Sequence, residues 1–261
     1  MKLLKNKKAI DYGALMVLVV AISAVYLSYN IMAKSSEFES PIGSFATGIY
    51  SIANEAEKTI FYIEESAQLT SIKATYELAK KGGFGENDCG ANGEYYFLNK
   101  ENPSELCERN VNENYLFYFN KELNNYLKNY EGIQLDNYDF FIDGKELNGL
   151  AKENLVLDIK LSKDNKVGKY SVKPSFKVKL EKDLSDYEKI DGIARQILRD
   201  CLSADNKEDC VKKNAQDLSF RKEGEVFLFE YDIGFKSKHE KENLKIKFAL
   251  RMPSEVKAPE V

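Results

Sequence analysis

The chain of 261 residues contains no tryptophan, one histidine and only five prolines. A single histidine, His239, excludes metal centres built on two or three histidines within one chain. Any Ser-His or Cys-His pair would have to use it, yet it stands between Lys238 and Glu240 in the charged run KSKHEKE, where a solvated side chain is expected. With 15 glycines and 5 prolines the chain is neither collagen-like nor low-complexity. A mean hydropathy of −0.46 argues against a polytopic membrane protein. No glycosylation triplet is complete, because Asn102-Pro103-Ser104 carries the forbidden proline. Gly82-Gly83-Phe84-Gly85 lacks the Lys-Ser/Thr of a phosphate loop and reads as a helix stop. Ser219-Phe220-Arg221-Lys222 fits S-x-x-K, but the companion S-D-N and K-T-G motifs of the acyl-enzymes that use it are missing.

What is present begins with charge. Lys2, Lys5, Lys7 and Lys8 against Asp11 give residues 1–33 a net +3, while the whole chain carries −4. The remainder is therefore acidic. That argues against a nucleic-acid partner, whose phosphates need clustered Lys and Arg.

Residues 12–33 (YGALMVLVVAISAVYLSYNIMA) carry no charge. About 20 helical residues cross a hydrocarbon core of about 30 Å, so this is one transmembrane span by length. The lysines before it and Glu37 and Glu39 after it place the N-terminus in the cytoplasm. A cleaved secretory signal is the rival reading, but its apolar core would be about 7–15 residues long. Ala33 also follows Ile31 too closely for a small-x-small site, leaving Ala21-Ile22-Ser23 as the weaker alternative. The expected organisation is a cytoplasmic basic leader at 1–11, the span at 12–33, a linker at 34–43, an extracytoplasmic α+β ectodomain at 44–252 and a flexible tail at 253–261.

Lys7-Lys8-Ala9 followed by an unbroken apolar helix resembles the class III signal of archaeal pilin-like proteins. The resemblance covers about 25 residues. It implies that a membrane peptidase cuts between Ala9 and Ile10 and leaves the apolar helix as anchor and assembly core. Asp11 at the second mature position and Ala14 at the fifth, where the family carries glutamate, depart from the pattern. Phe61–Ala67 and Tyr170–Phe176 add a looser similarity to single-pass archaeal membrane proteins, which implies no activity.

Pro41 and Gly43 are expected to break the chain out of helix. Ser44 then caps a long spine helix to about Lys81, with Phe45, Ile49, Ile52, Ala56, Ile60, Ile63, Ala67, Ala74 and Leu78 spaced by three and four. The same stripe would serve a protein partner or self-association. Val111–Tyr130 reads as a second helix. Its run Tyr115-Leu116-Phe117-Tyr118-Phe119 puts rings on every side, more than one buried face needs; core packing is the first reading, and Tyr115, Phe117 and Tyr118 are candidates for a contact surface. The period then shortens to two. Tyr138–Ile142 and Glu146–Leu150 flank an Asp143-Gly144 turn as a hairpin, and Leu155–Leu161 and Tyr170–Leu180 add strands, with Pro174 marking an edge or bulge. Ser185–Leu202 returns to helix, and Glu225–Ile233 pairs with Leu244–Leu250. The fold class is α+β, an antiparallel sheet with additional helices.

Four cysteines allow three pairings. The closeness of each neighbouring pair favours Cys89–Cys107 and Cys201–Cys210, with a gain of about 3 kcal/mol for a loop of about 15 residues. Zinc is the sharper alternative, but neither pair shows C-x₂₋₄-C spacing. Asp205, Glu208 and Asp209, and Glu86, Asp88 and Glu94, crowd the two loops without the ligand order of a calcium-binding hand. No cofactor is indicated. The expected function is a non-catalytic, membrane-tethered binding or scaffolding protein of the cell envelope. A pilin-like filament subunit is the first alternative, and an envelope hydrolase using paired carboxylates is the second.

Overall fold

The computed structural model describes residues 7–86, 89–162, 165–235 and 243–253, with side chains described except at 7–16, 18, 33–45 and 159–167. The fold is α+β, in two compact units: residues 1–57 with 156–171, and 58–155 with 172–261.

Helix α1 (Lys7–Lys80) contributes to both. The break expected at 34–43 is not there, nor is a start at Ser44: the helix passes through Pro41 and Gly43. Pro41 removes the hydrogen bond its own N–H would give to the carbonyl of Glu37, and Gly43 removes none. Intact turns on either side carry the helix across. The stop at the other end lies where the sequence puts it. Gly83 N–H bonds Leu78 O at 2.8 Å and Gly82 N–H bonds Ala79 O at 3.0 Å, the paired bonds of a Schellman cap. Both glycines have positive φ, +62° and +89°. A side chain on Gly83 would also meet the Tyr187 ring at 2.7 Å.

The first unit also holds all but the outer ends of a two-stranded sheet, β5 (Leu155–Ser162) with β6 (Asn165–Val172). The stretch expected to span a membrane, 12–33, lies only partly among the described side chains. The large apolar side chains described there, among them Val17, Val19, Val20, Ile22, Val25 and Leu27 and on to Met32, are exposed. Among the described residues no helix is long and apolar enough to cross a membrane.

The second unit is a head with two sheets. One has five strands in the order β1 (Ala91–Asn92), β2 (Tyr95–Phe97), β10 (Leu244–Arg251), β9 (Val226–Phe235), β8 (Ser219–Glu223). The other has three: β3 (Tyr138–Asp143), β4 (Glu146–Ala151), β7 (Ser175–Lys179). The expectation of an antiparallel sheet needs one correction, since β2 runs parallel to β10. No tight turn links these two strands, so nothing forces the antiparallel sense. The expected strand Tyr170–Leu180 is two strands, β6 and β7. Pro174 has no N–H to offer a ladder and sits between them, its carbonyl accepting from Ala151 N–H at 2.9 Å.

Alternation decides which face is buried. Tyr138, Phe140 and Ile142 of β3 sit opposite Ala151, Gly149 and Leu147 of β4, and Phe176 and Val178 of β7 continue the same face. Helix α2 (Val111–Leu127) covers it, with the Phe119 ring 5.3 Å from that of Phe140 and 6.1 Å from that of Phe176. Phe227, Phe229, Ile246, Phe248 and Leu250 form the inward face of the larger sheet. Tyr95, Phe97, Leu228 and Ala249 form a small separate cluster on its other face. Ala67 and Ala74, both fully buried, bring the head portion of α1 close to the core. Helix α3 (Ser185–Cys201) buries Ile190, Ile193, Ala194, Ile197 and Leu198, spaced by three and four. Helix α4 (Lys207–Asn214), capped by Asn206, fills what reads in the sequence as a polar loop.

Candidate functional site

Two features stand out, one in each unit. In the first, α1 presents an apolar surface to solvent: Val17 and Val25 are 70% exposed and Met32 is 72% exposed. Its polar residues turn inward onto their own backbone. Ser23 Oγ donates to Val19 O at 2.7 Å, Ser28 Oγ to Ala24 O at 2.8 Å, and Asn30 Nδ2 to Tyr26 O at 2.9 Å. Each bond satisfies a polar donor on the carbonyl one turn back, so these donors make no demand on water. The expected processing junction lies next to this stretch, but the side chains of Ala9 and Ile10 are outside those described.

In the head, the three candidate contact residues part company. Tyr115 is fully buried and its hydroxyl lies 2.9 Å from Ser71 Oγ; Tyr118 is buried and donates to Phe84 O at 2.9 Å. Only Phe117 is exposed. The contact-surface assignment of Tyr115 and Tyr118 is therefore corrected. Both point into the core, between α1 and the loop that follows it, and their hydroxyls find partners there. Burial pushes the Tyr115 phenol up to about 12.

All four cysteines are paired as the spacing suggests, Cys89 with Cys107 and Cys201 with Cys210, at Cα separations of 6.3 and 5.5 Å. The first ties the segment before β1 to the segment between β2 and α2, near the end of β10. There the Arg251 guanidinium lies 3.4 Å from the Phe97 ring centre and donates to Asn99 O and Cys89 O. The second ties the end of α3 to α4, and Asn214 reaches both sulfurs.

Beside the first disulfide, a polar groove of about 700 Å³ opens between the start of α2 and one face of α3. Glu108, Arg109, Asp183, Glu188, Asp191 and Arg195 give it charge. Its floor is Arg109, whose side chain is 1% exposed. Nη2 bonds Asp191 Oδ1 at 2.8 Å and Tyr187 O at 3.1 Å, Nε reaches Asp191 Oδ2 at 3.4 Å, and Nη1 bonds Gly82 O. The guanidinium also packs near the Phe84 and Tyr187 rings, 5.7 and 5.4 Å from their centres. Arg109 is thus committed to the fold. It joins the stop of α1, the entry to α2 and the middle of α3, and the exposed charges that line the groove are those of Glu108, Glu188 and Arg195. At the rim, Asp183 accepts from Ser185 N–H at 3.0 Å at the start of α3 and pairs with Lys145 at 3.1 Å. These contacts, the Ser185 bonds first and Lys145 after them, hold its carboxyl down at about 2.

The remaining sequence candidates do not converge. Ser219 and Lys222 lie three apart on β8, so their side chains leave opposite faces of the strand. Ser219 Oγ donates to Glu230 O, and Lys222 lies near the Phe227 ring. Asp209 caps α4 with Asn206. Asp88 and His239 are outside the described residues, among which no three His, Cys, Asp or Glu side chains gather as a metal site. Neither Arg109 nor Asp191 stands out in the sequence, because a pair 82 residues apart leaves no local pattern. Compared with known protein families, curated proteins and solved structures, the chain matches none.

Proposed function

We propose that the chain is a single-span membrane protein, N-terminus in the cytoplasm, whose head is displayed outside the cytoplasm as a binding or scaffolding module of the cell envelope and carries out no reaction. The observation that carries this reading is the apolar stretch of α1, whose described large apolar side chains between Val17 and Met32 are exposed, with Ser23, Ser28 and Asn30 bonded to their own helix. In water such a surface is costly; in lipid it is the surface a helix needs. The two disulfides support the compartment, since such bonds persist in oxidising surroundings. The groove beside Arg109 supplies a polar surface for a partner. Membrane fractionation tests the anchor. The full chain should stay with membranes through an alkaline carbonate wash, and deletion of residues 12–33 should release it; a full chain that washes off would contradict the reading.

A second reading, the pilin-like subunit, is favoured by one observation. The interruption at Pro41 and Gly43 that would have separated a head from its anchor is missing, and α1 enters the head as helix. Mass spectrometry of the mature N-terminus separates the two. A start at Ile10 supports the filament subunit; a start at Met1 or Lys2 leaves the plain anchor.

A further inference from the structure

We draw no further inference here: the strongest candidate, the outer face of the three-stranded sheet, where exposed Phe141 and Leu150 border a depression of about 450 Å³ with Glu64 and Lys177, carries nothing because no feature of the structure shows what covers it.

Discussion

Phe176 lays its ring across Gly149, its register partner on the neighbouring strand, so closely that a Cβ on Gly149 would stand 2.3 Å from Phe176 Cζ. The ring cannot swing away cheaply. It is buried against Phe119, Phe140 and Tyr138, with centre distances of 6.1, 6.3 and 5.3 Å. Gly149 is thus the space into which the aromatic core of the small sheet closes. Gly149→Ala should destabilise the head by about 1–3 kcal/mol through overpacking, and Gly149→Val by more. Denaturant unfolding followed by tyrosine signals would check this, and an unchanged midpoint would show that the ring has room to move.

Arg109 and Asp191 form the ion pair that closes the helical side of the head. Removing the guanidinium leaves the carbonyls of Gly82 and Tyr187 and a half-buried carboxylate without their donor. Arg109→Met should cost about 3–5 kcal/mol. Arg109→Lys should recover little, because an ammonium cannot reach two carbonyls and a carboxylate as a planar fork does. Full rescue by lysine, measured as the unfolding midpoint, would contradict this account of the pair.

Thr70 sits on the buried face of α1 at 0% exposure, and its hydroxyl has no hydrogen-bond partner among the described residues. Thr70→Val keeps the shape and removes the unsatisfied group. The head should be as stable as before or gain up to about 1 kcal/mol. A loss of stability in the same unfolding measurement would reveal a partner for the hydroxyl.

The acid side of the stability curve should carry the mark of Asp183. Its carboxyl is held at about 2 in the fold, below its ordinary value of about 4 in the unfolded chain. The folded state therefore binds fewer protons. The stabilisation is present above about pH 4 and is lost as pH falls through about 2. Asp183→Asn should remove this part of the acid dependence and leave the rest, which acid-unfolding curves of the two proteins would show.

The sequence made the elements with strong local signals readable: the stop at Gly82 and Gly83, the Asp143-Gly144 hairpin, α3, the β9–β10 pair and both disulfides. What it hid depended on distant partners. Strand β8 carries Phe220 among charged neighbours and exists because β9 pairs with it. Strand β2 is three residues long and finds its place on β10, some 150 residues later in the chain. Core packing is the first reading of the run at 115–119, but a helix with rings all round does not reveal which side its neighbours will cover, and only the structure separates buried Tyr115 and Tyr118 from exposed Phe117. Pro41 does not break α1. A helix-breaking propensity of about 3 kcal/mol is one term among many in a helix of 74 residues.

The most direct test of the central claim is protease treatment of intact cells, followed by detection of the two ends of the chain. With residues 12–33 in the membrane and the head outside, the head should be digested while an N-terminal fragment stays with the membrane, and lysis should be needed to expose the leader. A head fully protected in intact cells, with the chain recovered from the soluble cytosolic fraction, would contradict the account.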